Sequence, residues 1–386
     1  MNADRPPAFA NAWFFPAAAV YAALLLPLSV LGLLDHLPPL PGLVSAAGHA
    51  HEMLFGFALA VVAGYLLGPQ PRAITLGLLT CWLAARLLFL FWPGSWAAGL
   101  AAALFAAGLS WKVVPRFLGV AKKWRNQMVA PLVAGLALLS VLIGPPYSAA
   151  LTPALLREAL LLFATLLFFM GGRIIVPALA GYAQSQGRTL DARVQPRLEG
   201  GILTCLLLAL LLAPWPWPQA GQASGLLLIG AGLLALLRLL RWRPWLCWRR
   251  ADLLVLLVGY AWLIAGLLLV GLTLAGTPLP LDAALHAIGV GALGTLTLGV
   301  MARTRLLYRF RDANAQPWVH SLAGLLSAAA LARILPPLLG QPDPAWLLFA
   351  AGCWSLAFGA LPLLFWQTRG AHPHSRRSRR PAAAPP

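Results

Sequence analysis

Residues 48–57, GHAHEMLFGF, set two histidines, a glutamate and a methionine at the mouth of an apolar run. Neutral imidazole and thioether sulfur are ligands for copper and haem iron, and a carboxylate beside them can orient an imidazole or handle a proton. A further histidine, His286, opens LHAIGVGALG, and single arginines, Arg86 and Arg333, interrupt two other apolar runs. Residues two apart on a regular helix point about 200° away from each other. His49 and His51 can therefore share a metal only if His49 lies in a non-helical entry turn; otherwise they serve different centres. His51 with His286 could ligate one planar cofactor. His49 with Met53, four apart, offers a nitrogen–sulfur pair suited to copper. Glu52 is then the acceptor that orients an imidazole, and Arg86 and Arg333 are partners for carboxylates such as haem propionates. Gly56 and Gly64 follow His51 at the same offsets as Gly291 and Gly299 follow His286. Glycines at those steps let a flat ligand or a neighbouring backbone approach closely. The structural alternative is that the glycines only pack helices and the histidines only bond carbonyls.

These residues sit in a chain that a membrane must surround. Of 386 residues, 60% are hydrophobic and only 10% charged, which is more apolar surface than a soluble chain of this length can bury. The net charge of +18 does not point to nucleic acid, because the basic residues fall in short connections between apolar runs. Cys81, Cys205, Cys247 and Cys353 lie far apart with no CxxC or CxxCH pairing, so neither a zinc site nor covalent haem attachment is signalled. There is no Walker loop and no HExxH. The first apolar run, from Trp13 to Leu34, is long for a signal sequence and reads as a retained span.

Apolar runs of spanning length fall near 13–34, 48–68, 73–92, 95–111, 127–144, 153–178, 197–214, 223–242, 251–276, 281–303, 317–339 and 345–368. The expected fold is all-α: a polytopic integral membrane protein with about twelve transmembrane helices in one bundle, residues 1–368, and a disordered basic tail, 369–386. Lysine and arginine alternate between connections: Lys112, Arg116, Lys122, Lys123 and Arg125, then Arg188, Arg193 and Arg197, then Arg241, Arg243, Arg249 and Arg250, then Arg303, Arg305, Arg309 and Arg311. The intervening loops are proline-rich and nearly free of them. By the positive-inside rule both termini are cytoplasmic. Trp92, Trp96, Trp215 and Trp217 are expected at the outer interface, and Trp111, Trp124, Trp242 and Trp245 at the inner one.

Orientation sets depth. His49, His51 and Glu52, together with His286, enter from the outer face; Arg86 and Arg333 lie past the midpoints of outward-running helices, and Arg157 and Glu158 start the sixth. A charged side chain at mid-membrane costs roughly 2.5–3.5 kcal/mol, so each needs a partner or a cavity. His320 begins a helix at the other face, and His372 and His374 lie in the tail; none joins the group.

Several stretches resemble the NnrS family of bacterial membrane proteins. GHAHEMLFGFALAVVAGYLL resembles the family's WHxHEMxFG stretch, and LHAIGVGALGTLTLGVMARTRL its HAxxVGAxGxMTLxVMTR element. CWLAARL, MGGRIIVP and SAAALARIL resemble further elements, in order along the chain. The resemblance implies a twelve-span inner-membrane protein that contains haem b and copper and is tied to the response to nitric oxide. Gly48 stands where relatives have tryptophan, and Tyr308 where they have an inner-face histidine, which marks a divergent member. Two other functions fit the residues without a cofactor: a twelve-span secondary transporter, and a scaffold or sensor whose polar cluster locks helices together. Against the transporter, no carboxylate lies at a predicted midplane and no helix is plainly broken there.

Overall fold

The computed structural model describes residues 8–119, 127–143 and 151–369. Lys122, Lys123, Arg125 and Trp124, and the tail from 370 onward with His372 and His374, lie outside the described residues. Twelve helices are present among the described residues: α1 Asn11–Leu33, α2 Ala46–Leu66, α3 Arg72–Phe91, α4 Trp96–Gly119, α5 Val129–Leu142, α6 Thr152–Ser185, α7 Pro196–Leu212, α8 Pro218–Arg241, α9 Ala251–Leu274, α10 Leu281–Phe310, α11 Trp318–Leu338 and α12 Pro344–Gln367. The protein is an all-α polytopic membrane protein. Lipid offers no partner for backbone N–H and C=O groups, and helices satisfy both within the segment. One short antiparallel pairing, Ala8 with Gln70 and Phe9 with Pro69, ties the chain's start to the α2–α3 loop.

Three helices run outside their apolar limits. α4 continues to Gly119 through Pro115, α6 to Ser185 through Pro177, and α10 to Phe310. An apolar run measures the thickness of oil, whereas leucine, arginine and lysine go on favouring helix in water.

Burial separates inner from outer helices. In their apolar windows α2, α6 and α10 are 67%, 67% and 72% buried and α9 is 61%, against 28–44% for the other long spans. The three most buried helices are four apart in sequence. Around them the others pack in chain order: α1 against α3, α3 on α4 and α4 on α5, then α7 on α8, α8 on α9, α9 on α11 and α11 on α12, with α12 back on α1; α6 links α5 to α7. Trp354 of α12 reaches inward, donating its indole N–H to the Ala22 carbonyl at 3.2 Å and meeting Phe57 of α2 edge-on.

Cross-helix bonds report the up-and-down order. Arg116 at the end of α4 donates to the Leu66 and Leu67 carbonyls at the end of α2. Asp252 at the start of α9 pairs with Arg250 at 2.8 Å and with Arg303 of α10 at 2.5 Å. Arg305 donates to Thr368 at the end of α12. At the opposite face Arg157 of α6 donates to the Ala213 carbonyl. The described start and end of the chain therefore share the arginine-rich face.

Two features of that face depart from expectation. Trp242 is not an interfacial anchor: it is 2% exposed and packs under Arg238, unlike Trp111 and Trp245, which are exposed. Arg238 itself is buried inside α8, where it pairs with Glu199 at 2.7 Å and lies over Phe168 and Trp242.

α8 and α9 cross with backbone touching backbone. A side chain on Gly225 would run into the Gly271 carbonyl, and one on Gly271 into the Gly225 carbonyl. Membrane helices gain little hydrophobic drive against one another, so close van der Waals approach is what joins them. Gly271→Val should lower stability in detergent by about 1–3 kcal/mol through overpacking, read as an earlier thermal unfolding midpoint, while Gly352→Val on the open face of α12 should leave it unchanged.

Candidate functional site

α2 and α10 both leave α-helical geometry directly behind a histidine. Residues Glu52–Ala58 follow His51 as a π-helix, and Ala287–Gly294 follow His286 as another. Short π segments are rare and collect at functional positions. A widened turn disturbs the backbone ladder, and side chains bond to carbonyls in both segments. Trp82 donates to the Gly56 carbonyl at 2.9 Å, and Thr297 to the Leu293 and Gly294 carbonyls at 2.7 and 3.0 Å. The glycine offsets shared by the two stretches are the trace of these segments in the sequence.

The first group of polar residues is a lock between α1, α2 and α3. Glu52 is fully buried. Its Oε1 accepts from Arg86 Nη1 at 2.6 Å and meets His51 Nδ1 at 2.8 Å, and its Oε2 accepts from the Tyr21 hydroxyl. His51 lies stacked on Phe89, with ring centroids 4.0 Å apart, and beside Phe55. A side chain at Gly56 would strike Tyr21, Glu52 and Arg86, so this glycine makes room for the lock and not for a flat ligand. Arg86, expected to partner a propionate, here gives its Nη1 to Glu52.

The second group lies on the other side of α2. His49 and His51 both belong to the regular turn Ala46–His51, so their side chains diverge as the 100° step requires. His49 Nδ1 bonds Ser29 Oγ of α1 at 3.1 Å. His286 Nδ1 bonds the Asp282 carbonyl at 2.6 Å. His49, His286 and Arg333 stand within electrostatic reach of one another, and Arg333 within reach of Asp282. The expected pairing of His51 with His286 is thus corrected: His49 is the histidine that looks toward α10 and α11. Met53 packs with the Leu25, Leu43 and Leu90 cluster between α1 and α3. Gly291 is covered by the indole of Trp262, which bonds Ser327 of α11 at 3.1 Å.

One regularity spans both groups. In His49, His51 and His286 the Nδ1 atom is held by an oxygen, and no hydrogen bond among the described residues engages Nε2. For His51 and His286 that oxygen can only accept, so Nδ1 carries the proton and the Nε2 lone pair is free, as in metal-ligating histidines; the Ser29 hydroxyl can donate or accept, and fixes the ring of His49 and not its tautomer. His320, near the other face, is the reverse: Nε2 bonds the Ala313 carbonyl and Nδ1 is buried without a partner. Among the described residues no group of three or more His, Cys, Asp or Glu gathers for a metal.

Below the π segments, α2, α6, α9 and α10 line a small apolar cleft of about 70 Å³, with Tyr65, Phe163 and Met170 among its walls.

The family profile described as NnrS protein matches residues 10–369. The chain belongs to the NnrS family. No curated protein matches it significantly. Gly48 abuts the Gly42 carbonyl, where any side chain would collide. Tyr308 is half exposed near the arginine-rich face, against Phe9, far along α10 from His286.

Removing one partner from a buried pair leaves the other charge uncompensated, which costs about 3–5 kcal/mol. Glu52→Ala and Arg86→Leu should each lower the thermal midpoint strongly in detergent, whereas the double variant Glu52→Leu/Arg86→Leu should recover most of the loss. Recovery no better than the worse single variant would show that the pair is not the lock.

Proposed function

We propose that this NnrS-family protein holds haem b or copper through His49 and His286, near the membrane face opposite the arginines, and acts in the bacterial response to nitric oxide. The inner membrane is its proposed location, with the arginine-rich face toward the cytoplasm. The observation that carries this is the pair of Nδ1-anchored imidazoles from α2 and α10, with Arg333 beside them.

The donors fit such a group. Imidazole nitrogen suits copper and haem iron alike. Among the described residues no third His, Cys, Asp or Glu joins them, so His49 and His286 would suit a haem or a copper of low coordination number better than a four-ligand zinc site. A bound haem or copper would supply a metal able to take up a small neutral molecule such as nitric oxide.

The chain's own residues do the positioning. Ser29 and the Asp282 carbonyl hold the two rings in place. Arg333 supplies positive charge where a propionate or another anion could be met. The Glu52–Arg86 lock fixes the azimuth of α2, and with it the direction of His49. His51, stacked and bonded into that lock, is assigned to positioning.

An absorption spectrum and metal analysis of purified protein test the proposal. A Soret band or stoichiometric copper is expected in the wild type. His49→Ala and His286→Ala should each remove it, and His51→Ala should retain the metal while lowering the melting temperature. Metal-free, stable wild-type protein would favour the transporter or scaffold; loss of metal in His51→Ala alone would move the site into the lock.

A further inference from the structure

The arginine-rich face carries two populations of arginine. Arg238, Arg250 and Arg303 are spent on Glu199 and Asp252. Arg188, Arg241, Arg243 and Arg249 form no ion pair among the described residues, and all four line one cleft of about 1290 Å³. The cleft lies between the end of α6, the α6–α7 connection and the α8–α9 turn. Asp191 is the acidic residue in its wall, and its carboxylate already accepts from the Thr189 hydroxyl at 3.1 Å. Four arginines against one aspartate leave three positive charges.

The walls are amphipathic. Leu179, Leu240 and Leu246 line the cleft beside the arginines. Trp245 and Trp248 are 58% and 67% exposed, and the Arg249 guanidinium lies 4.7 Å over the Trp248 ring. Exposed tryptophans at this depth sit at the headgroup level of a bilayer. Trp242 also forms part of the wall, and its indole N–H is buried without an acceptor. Arg243, at the start of the turn, holds a left-handed backbone (φ 53°), a conformation that is uncommon for a residue with a side chain.

We propose that this cleft binds the headgroup of an anionic phospholipid, with preference for a lipid bearing two phosphates. The guanidinium groups meet the phosphate oxygens with charge-assisted hydrogen bonds. The leucines beside them receive the upper acyl chain, and the tryptophans close over the glycerol region. A soluble phosphate compound would use the same arginines but would gain nothing from the leucine wall.

Native mass spectrometry of the purified full-length protein tests this, with tetraoleoyl cardiolipin, dioleoyl phosphatidylglycerol and dioleoyl phosphatidylcholine as probes. Wild-type protein should hold cardiolipin at least about tenfold more tightly than phosphatidylcholine. Arg241→Ala/Arg243→Ala should lose most of that preference, and Arg72→Ala/Arg197→Ala, an equal loss of charge at exposed positions elsewhere, should keep it. If the first variant folds poorly, Arg188→Ala/Arg249→Ala replaces it. Equal loss in the control variant would overturn the proposal in favour of unspecific charge. Displacement of cardiolipin by inorganic pyrophosphate at matched concentration would overturn it in favour of a soluble ligand.

Discussion

A carboxylate sealed inside a membrane bundle must find donors, and the arrangement in the half of this protein away from the arginine-rich face turns on how Glu52 finds them. Arg86, His51 and Tyr21 come from three helices and meet on two oxygens. Within that one contact the orientation of α2 about its own axis is decided. If the π segment did not begin at Glu52, the carboxylate would not be carried into this crevice with Gly56 leaving it room. The same choice turns His49 the other way, toward α10. The lock and the candidate ligands are thus two faces of one helix, and neither can be moved without the other.

The sequence made part of this visible. Spans, their order and the alternation of basic connections follow from oil and charge alone, and among the described residues twelve helices stand where the twelve apolar runs do, eleven of them long and apolar enough to cross a membrane and α5 shorter. Helix lengths were less legible, because α4, α6 and α10 extend past the apolar run into water. The buried Arg238 and the half-buried Arg303, with their carboxylates Glu199 and Asp252, were not legible as pairs. Each lies tens of residues from its partner, and nothing in spacing announces which arginine is free and which is spent.

For the site, residue types were readable and partnerships were not. His51, Glu52 and Arg86 are buried and His49, His286 and Arg333 half-buried, and they divide into two groups that a common depth does not separate. The opposition of His49 and His51 followed from helix geometry. Which of them faced His286 depended on the neighbours of α2, and a helix that is apolar all round carries no stripe to say so. The glycine offsets behind His51 and His286 were a true likeness, but what they marked was a change of helix type, and the surfaces they open are filled by Tyr21 and Trp262.

That change of helix type makes the aim of each imidazole a matter of residue count. A π turn amounts to one extra residue accommodated in a helix, and one residue of α-helix turns the chain by about 100°. Loss of a single codon between 52 and 58, or between 287 and 294, would let the helix relax to regular winding while swinging its histidine-bearing end by more than a quarter circle. Such a chain would keep every ligand type and still present different side chains to the centre of the bundle. Two helices in this protein carry that latent adjustment, each next to its histidine.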